Sequence, residues 1–250
     1  MHLAPSHERR EPALPGGRVA FFGGSFDPPH LGHLAVARAA RAALGLGTVL
    51  FAPVGAQPLK PRGSTADFTH RLAMTRLAIA EDADFAVSLA DAPSPSGAPN
   101  YTLETLLKLR AELPEGSRLF CLMGADSLAG LKRWHRAAEI PFAAPLIVAS
   151  RPSESLRQLQ DLRALLPEGL TIEPVAEAGA AEPEIELRSY QLRNPAGECA
   201  AFYLLPGLQV DISASQIRDQ VRAAEGSRLP GKELLPETVS AYIRAHKLYL

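Results

Sequence analysis

Short, continuously apolar runs alternate along the chain with longer segments in which apolar residues recur at helical spacing. The short runs predict buried strands over residues 18–22, 48–53, 85–89, 118–123, 145–149 and 170–175. The longer segments predict helices over residues 31–44, 69–80, 102–113, 153–166, 213–224 and 236–246, with a broken helical stretch over 128–140. Strands without polar alternation, separated by helices, are typical of a parallel sheet covered on both faces. The pattern therefore predicts an α/β fold with a mainly parallel sheet and C-terminal helices.

Two segments fall outside this alternation. Residues 1–17 are polar, contain proline and end in Gly16-Gly17, so we predict a flexible N-terminal extension. Residues 176–197 are rich in Ala, Glu, Pro and Gly, which predicts an insertion or a long loop. The chain of 250 residues is long enough for one large domain or two small ones. We predict a single domain over residues 18–250, with the insertion at 176–200.

Composition and charge exclude several classes of protein. Apolar residues make up 46% of the chain and charged residues 21%, as in a globular protein and unlike a disordered one. The 26 basic and 27 acidic residues give a net charge of −1, so no overall basic field attracts nucleic acid. No apolar run approaches the roughly 20 residues that span a membrane, and residues 1–12 lack the apolar core of a signal peptide. Two cysteines, Cys121 and Cys199, are too few for a disulfide framework, so we expect a cytoplasmic protein with no membrane partner.

The segment Gly23–Leu34 carries the most specific chemistry. It follows the first predicted strand and opens the first predicted helix, which is where ligands bind in open α/β sheets. Its glycines let a phosphate approach the backbone, and a helix N-terminus offers N–H groups and positive partial charge. His30 and His33 share one face of the first turn and can donate hydrogen bonds to phosphate oxygens. The alternative is a plain strand-to-helix turn, but turn chemistry does not require both histidines.

A second segment, Ile212–Arg218, predicts another phosphate-binding helix N-terminus. Ser213 and Gln216 fit a capping box, so a helix begins here with two serine hydroxyls beside its first turn. Arg218 and Arg222 are four residues apart and fall on one helix face. Taken alone, the segment fits a plain capped helix with solvated arginines equally well. Two such helix starts in one chain favour a phosphate ligand more strongly than either does separately.

These two segments resemble the His-x-Gly-His signature and the Ile-Ser-x-Thr/Ser-x-x-Arg element of the nucleotidyltransferase superfamily. Within that superfamily the chain resembles the bacterial nicotinate-nucleotide adenylyltransferases, from about Arg18 to Tyr249 with an interruption at 176–200. The further matches are Pro58–Pro61, Arg71 with Met74, Tyr101-Thr102, Thr105-Leu106, Gly124–Leu128, Trp134-His135, Arg151-Pro152, Leu234–Glu237 and Tyr242-Ile243. The resemblance implies one nucleotidyltransferase domain with a Rossmann-like, doubly wound sheet.

The resemblance also implies an activity in NAD biosynthesis. AMP is transferred from ATP to nicotinate mononucleotide, which gives deamido-NAD and pyrophosphate. Mg²⁺ is expected to be held mainly by the ATP phosphates, with no metal ligand from the protein. The implied partners are the two substrates, and the oligomeric state stays open, a homodimer being one option. The alternatives are an adenylyltransferase for nicotinamide mononucleotide or phosphopantetheine, or a non-catalytic sensor that binds nucleotide without turnover.

Roles for individual residues follow from their positions in the matched motifs. His30, His33 and Arg218 are the implied catalytic residues. The implied ATP-binding set adds Gly23, Gly24, Ser25 and Phe26 at the first turn, Asp126 for the ribose, and Ile212, Ser213 and Ser215 for the terminal phosphates. The implied mononucleotide-binding set is Lys60 for the phosphate, Thr102 for the carboxylate, Trp134 for the pyridine ring, and His135.

Structural alternatives exist for three of these residues, and one position departs from the family. Asp126 also fits a helix N-cap, Trp134 a core residue and Lys60 a solvated loop lysine. The family has a histidine before the lysine of the 58–61 loop, but this chain has Leu59. The contact that this imidazole makes in relatives is therefore in doubt here. The replacement of a common serine by Ala214 is milder, because the flanking serines remain.

Overall fold

The computed structural model describes residue 14 and residues 16–59, 63–150, 159–175, 186–208, 212–223 and 233–250. Its strands are β1 (Arg18–Gly24), β2 (Thr48–Pro53), β3 (Phe85–Val87), β4 (Arg118–Gly124), β5 (Leu146–Ala149), β6 (Thr171–Pro174), β7 (Arg188–Arg193) and β8 (Cys199–Leu205). Its α-helices are α1 (Leu31–Leu44), α2 (Phe68–Ala78), α3 (Thr102–Glu112), α4 (Ala125–Gly130), α5 (Ile140–Ala143), α6 (Leu159–Leu165), α7 (Ala214–Ala223) and α8 (Glu237–Ala245). Short 3₁₀ turns at Leu131–Arg133 and Ala137–Glu139 interrupt the path from α4 to α5.

The strands form one eight-stranded sheet in the order β3-β2-β1-β4-β5-β8-β7-β6. The pairs from β3 through to β8 are parallel, and β7 is antiparallel to both of its neighbours. The strand order reverses at β1 and β4, which lie side by side in the middle of the sheet. In a doubly wound sheet such a reversal opens a crevice at the carboxyl ends of the two strands. The predicted Rossmann-like, mainly parallel fold is confirmed.

Two hydrophobic clusters cover the two faces of the sheet. Phe21 packs into one cluster with residues of α3, α4 and α5, whereas Phe22 packs into the other with residues of α1, α2, α7 and α8. Leu50 and Phe51 divide between the clusters in the same way. Successive strand residues point to opposite faces, so a strand buried on both faces must be apolar throughout. This explains the continuous apolar runs of the sequence.

Most predicted elements are confirmed, and α1 and β2 have the predicted bounds. The broken helical stretch over 128–140 is the succession of α4, two 3₁₀ turns and α5. Of the helix predicted over 153–166, residues 153–158 lie outside the described residues, and α6 covers the rest. Residues 1–13 and 15 of the predicted extension also lie outside them. No helix in the described part of the chain has the length and apolar character needed to cross a bilayer.

The alternative of a long loop over 176–197 is wrong for residues 188–193, and the strand that begins at Cys199 was not predicted. Arg188–Arg193 is β7, and Cys199 opens β8, an interior strand that pairs with β5 and β7. In β7, the buried Tyr190 and Leu192 alternate with less buried neighbours, and in β8 Phe202 and Leu204 are fully buried. The Ala, Glu, Pro and Gly of the preceding residues hid this alternation. Residues 176–185 lie outside the described residues, and an insertion relative to the family stays a prediction.

Candidate active site

A cleft of about 880 Å³ opens at the carboxyl ends of β1 and β4. It lies where the strand order reverses, as expected for a ligand site in this kind of sheet. Every predicted site residue that the structure describes lines it, namely Gly23, Gly24, Ser25, Phe26, His30, His33, Thr102, Asp126, Trp134, His135, Ile212, Ser213, Ser215 and Arg218. Lys60 lies outside the described residues. The half-exposed side chain of Leu59 lines the same cleft.

His30 and His33 stack at the start of α1, with ring centroids 3.7 Å apart. The His30 N–H donates to Nδ1 of His33 at 3.1 Å. Because Nδ1 accepts this bond, a neutral His33 ring carries its proton on Nε2, where it is a donor. The ring of Phe26 packs edge-on against His33, with centroids 5.0 Å apart. These contacts hold the His33 imidazole as an oriented donor on the cleft wall.

The backbone at the start of α1 contributes less than the sequence predicts. The Leu31 N–H donates to the carbonyl of Leu234, ahead of α8, at 3.0 Å, and the His33 N–H donates to the His30 carbonyl at 2.9 Å. Two of the N–H groups that a helix start can offer are therefore occupied. The imidazoles thus carry more of the donor function at this turn than the helix N-terminus does.

Gly23, the last but one residue of β1, leaves room for an aromatic ring. A Cβ at Gly23 would lie 2.7 Å from the Phe21 ring, closer than side-chain carbons approach one another. Beyond it Phe26 adopts a left-handed conformation with φ of 46° and is buried. The rings of Phe21 and Phe26 therefore pack beneath the turn from β1 to α1 and fix the path of its backbone along the cleft.

The predicted capping box at the start of α7 is confirmed. The Gln216 N–H donates to Oγ of Ser213 at 3.2 Å, and the Ser213 N–H donates to Oε1 of Gln216 at 3.2 Å. The N–H groups of Ala214 and Ser215, at the start of the helix, have no intrahelical acceptor. Because these residues line the cleft, the positive end of α7 faces it.

Arg218 joins the two predicted phosphate-binding segments. Its Nη1 donates to the main-chain carbonyl of Asp27 at 2.7 Å, and its Nη2 donates to Oγ of Ser215 at 3.3 Å. The same guanidinium lies 4.0 Å from the Asp27 carboxylate, and about a fifth of the side chain is exposed. One cation is thus shared between the turn after β1 and the first turn of α7. Arg222, by contrast, pairs with Asp219 on the exposed face of α7.

Asp27 and Arg71 form a buried frame that the sequence did not reveal as part of the site. The Asp27 carboxylate accepts hydrogen bonds from the N–H groups of Thr65 and Ala66, at 2.6 and 3.1 Å. Arg71 is buried and donates to three main-chain carbonyls, those of Ser25, Val54 and Ala66, at 2.7–3.1 Å. Burial lowers the pKa of Arg71, which the negative charge of Asp27 partly offsets. The sequence signal for this frame was a charged residue in the strand-to-helix turn, Asp27, and another within a helix, Arg71.

On the opposite side of the cleft, Thr102 is the first residue of α3. The Tyr101 ring before it stacks on His135, with centroids 4.4 Å apart, and Nε2 of His135 lies 3.6 Å from the Glu104 carboxylate. Trp134 is partly buried against the core cluster and also lines the cleft. Tyr101, Trp134 and His135 therefore form an aromatic wall beside the N-terminus of α3.

Asp126 is not a helix N-cap, because Gly124 holds that position in α4. Its Oδ1 accepts a hydrogen bond from the N–H of Ser127 at 2.9 Å and lies 2.6 Å from where a Cβ of Gly124 would be. Glycine at the end of β4 therefore leaves room for this carboxylate in its present orientation. The carboxylate lines the cleft as an acceptor, the property that a ribose hydroxyl would use.

A second buried carboxyl group, Asp91, lines the cleft beneath α3. It accepts a hydrogen bond from Oγ of Thr105 at 2.8 Å, and burial raises its pKa to about 6. Burial and the neighbouring Asp91 also raise the pKa of the Cys121 thiol to about 12. Asn100 fixes the same region, since it accepts from the Ala56 N–H and donates to the Ala92 carbonyl, both at 2.9 Å. From the sequence, no role was predicted for Asp91, Cys121 or Asn100.

Metal-binding side chains are not clustered in the described part of the chain. No group of three or more His, Cys, Asp or Glu residues there could hold a metal ion. The groups on the cleft wall formed by the turn after β1 and the start of α7 are instead mostly donors: imidazoles, a guanidinium, hydroxyls and helix N–H groups. Such a wall suits an anionic ligand.

Known proteins resemble this chain along most of its length. The family model described as cytidylyltransferase-like matches residues 21–220. A protein of Herpetosiphon aurantiacus named "Probable nicotinate-nucleotide adenylyltransferase" is 35% identical, over 93% of this chain and 98% of its own. A protein of Roseiflexus sp. with the same name is 38% identical, over 92% of this chain and 97% of its own.

A solved structure supports the fold. Plasmodium falciparum nicotinic acid mononucleotide adenylyltransferase, complexed with NaAD, superposes with a TM-score of 0.62 at 16% identity, covering 93% of this chain and 97% of that one. Similarity at 16% identity shows the fold alone, whereas the relatives at 35% and 38% identity show the family. The chain belongs to the nicotinate-nucleotide adenylyltransferase family of cytidylyltransferase-like proteins.

Proposed function

We propose that this chain transfers AMP from ATP to nicotinate mononucleotide, giving deamido-NAD and pyrophosphate. One observation carries the proposal beyond family membership. Arg218 donates to the Asp27 carbonyl at 2.7 Å and so sets the capped start of α7 beside the His30–His33 turn. Two donor-rich segments that are far apart in sequence thereby face one cleft, as a triphosphate requires.

The chemistry needs no nucleophile from the protein. The phosphate oxygen of the mononucleotide attacks the α-phosphorus of ATP in line, and the bond from that phosphorus to the pyrophosphate oxygen breaks. Catalysis then consists of positioning the two substrates and stabilising charge on the leaving pyrophosphate. His30 and His33 would serve the phosphates at the reacting end. Arg218, Ser213 and Ser215 would hold the β- and γ-phosphates.

Mg²⁺ fits this site as an ion brought in by ATP. The Asp27 carboxylate is buried and already accepts hydrogen bonds from Thr65, Ala66 and Tyr249, and the described residues hold no group of three or more side chains that could bind a metal ion. The phosphate oxygens and water would therefore supply the coordination shell, as is common for this ion. When bound, Mg²⁺ would offset negative charge on the phosphates. The protein's donors would hold the remaining oxygens.

The wall formed by α3 and the 134–135 segment suits the mononucleotide. The N–H groups at the start of α3 lack intrahelical acceptors and would receive the pyridine carboxylate beside Thr102. Trp134 would stack on the pyridine ring, and His135, held against Tyr101, would border the same subsite. Asp126 would accept hydrogen bonds from the hydroxyls of the ATP ribose. Lys60 would face the mononucleotide phosphate.

Initial rates of pyrophosphate release with three acceptors test the proposal. Nicotinate mononucleotide, nicotinamide mononucleotide and phosphopantetheine are compared at equal concentrations of ATP and Mg²⁺. We expect the highest kcat/KM with nicotinate mononucleotide, because its carboxylate can meet the N–H groups of α3. The nicotinamide compound is the matched control, since it differs only in that group. A preference for phosphopantetheine would contradict the proposal, and ATP binding without pyrophosphate release would favour a sensor.

A further inference from the structure

Tyr249 makes a buried hydrogen bond to the turn that carries His30. Its hydroxyl donates to Oδ1 of Asp27 at 2.8 Å, across 222 positions of the sequence. Asp27 is 5% exposed and Tyr249 is 6% exposed. The bond therefore lies inside the protein, directly behind the cleft wall. Neither the two predicted phosphate-binding segments nor the roles predicted for their residues account for this hydrogen bond.

The segment after α8 is built to hold this hydroxyl in place. Tyr249 has a φ of 66°, and the preceding Leu248 N–H donates back to the Ile243 carbonyl at 3.1 Å. The Tyr249 ring packs in the core cluster that contains Phe22 and Phe26. Burial and the charge of Asp27 raise the pKa of Tyr249 well above its ordinary value, so the hydroxyl stays a donor. The contact is thus specified by backbone, packing and protonation together.

The Asp27 carboxylate connects two other parts of the site. It accepts from Thr65 and Ala66 in the loop that leads into α2, and the Arg218 guanidinium lies 4.0 Å away. The carbonyl of the same residue accepts the 2.7 Å hydrogen bond from Arg218. Asp27 therefore meets Arg218 through both its side chain and its main chain, so a displacement of its backbone would move both contacts.

We propose that Tyr249 is a positioning residue for the triphosphate side of the cleft. Its hydroxyl fixes the Asp27 carboxylate, and Asp27 in turn sets the His30 turn and Arg218 in register with each other. Tyr249 does not line the cleft and acts only through Asp27. The inference rests on the proposed function, because it assumes that this side of the cleft receives the ATP phosphates.

The test compares two tyrosine hydroxyls from the same end of the chain. Tyr249→Phe removes the bond to Asp27, whereas Tyr242→Phe removes a 3.0 Å bond to Nδ1 of His70, and neither Tyr242 nor His70 lines the cleft. Titration calorimetry with a non-hydrolysable ATP analogue and Mg²⁺ measures affinity without an acceptor. We expect Tyr249→Phe to weaken binding about tenfold and Tyr242→Phe to leave it unchanged. In the transfer assay, Tyr249→Phe should raise the KM for ATP and not the KM for the mononucleotide.

Hydrogen exchange without nucleotide gives a second readout that needs neither binding nor turnover. Tyr249→Phe should speed exchange in peptides that cover residues 24–34, and Tyr242→Phe should not. Unchanged affinity and exchange in Tyr249→Phe, or equal losses in both variants, would overturn the inference. If the wild-type protein binds the analogue but forms no product, the proposed function fails while the comparison of the two variants still decides the role of Tyr249.

Discussion

The residues that we propose face the ATP phosphates share one property, which is that their side chains can donate hydrogen bonds. His33 is held with Nδ1 as an acceptor toward the His30 N–H, which leaves its other nitrogen to donate. Arg218 adds the one permanent charge among the predicted catalytic residues. Among the described residues, the carboxylate in contact with Arg218 is that of Asp27, which accepts hydrogen bonds from backbone N–H groups and Tyr249. Charge on a bound triphosphate would therefore meet oriented donors, and the nearby acid is already hydrogen-bonded.

Replacing His33 by Ala should lower turnover by about 100-fold or more while the protein stays folded. The lost imidazole would stabilise charge that develops on the phosphates in the transition state. Removing a donor of this kind typically lowers turnover by about 100-fold or more. The measurement is kcat for pyrophosphate release, with circular dichroism as the check on folding. His246→Ala is the matched control, because His246 packs against Tyr242 on the exposed end of α8. Turnover near the wild-type value in His33→Ala would refute the proposed role.

At the scale of elements, side chains of two buried acids and one amide tie loops to helices around the cleft. Asp27 joins the turn after β1 to the loop before α2, and Asp91 joins the segment after β3 to α3. Asn100 joins the loop after β2 to the segment before α3. The two acids differ in environment. Asp27 accepts several hydrogen bonds beside a guanidinium, whereas Asp91 accepts one from a neutral hydroxyl in a desolvated position.

This difference predicts a pH-dependent stability for Asp91. Burial raises its pKa from 3.8 to about 6, so the folded state binds this proton more tightly than the unfolded state does. The contribution of Asp91 therefore favours folding below pH 4 and weakens as pH rises from about 4 to about 6. Asp91→Asn keeps an acceptor for Thr105 and removes the charge. It should raise the free energy of unfolding by about 1–3 kcal/mol at pH 7, and this gain should vanish toward pH 4.

Urea unfolding at pH 4, 5, 6 and 7 measures this change. The exposed Glu81 supplies the control, since Glu81→Gln removes a carboxylate that water solvates. We expect its stability to follow the wild-type curve at each pH. An Asp91→Asn variant that is less stable than wild type at pH 7, or equally shifted at all pH values, would contradict the assignment.

The sequence predicted elements better where burial is two-sided than where it is one-sided. β1, β2 and β4 are apolar throughout because both faces are covered, and each was found. β7 buries only alternate residues and follows a segment rich in Ala, Glu and Pro, so the pattern was missed. Missing β7 also concealed β8, the interior strand that it pairs with. The helix starts at α1 and α7 were found because capping and motif residues mark them.

Sequence motifs predicted the residues that line the cleft. They did not predict the buried residues that hold those side chains in position. His30, Trp134 and Arg218 stand in recognisable motifs, and the fold brings them to one cleft. Asp27, Asp91 and Tyr249 act through partners that lie far away in the sequence, at separations of 14 to 222 positions. Nothing in local spacing identifies such partners. Only the folded chain shows which loops share a buried carboxylate.

For the molecule as a whole, a net charge of −1 is compatible with a polyanionic substrate. The attraction is local, since the positive end of α7, the imidazoles of His30 and His33 and the guanidinium of Arg218 line the same cleft. A small triphosphate needs only this patch, whereas a long nucleic acid would need an extended basic surface. The whole-molecule electrostatics and the family membership therefore agree on a small nucleotide as the ligand.

The most direct test follows the α-phosphorus itself. The protein is incubated with ATP labelled at that atom, nicotinate mononucleotide and Mg²⁺, and the nucleotides are separated over time. We predict that the label enters deamido-NAD at the same rate as unlabelled pyrophosphate is released, and that it stays in ATP when the mononucleotide is omitted. Label that remains in ATP with the acceptor present, or that leaves as free AMP, would contradict adenylyl transfer.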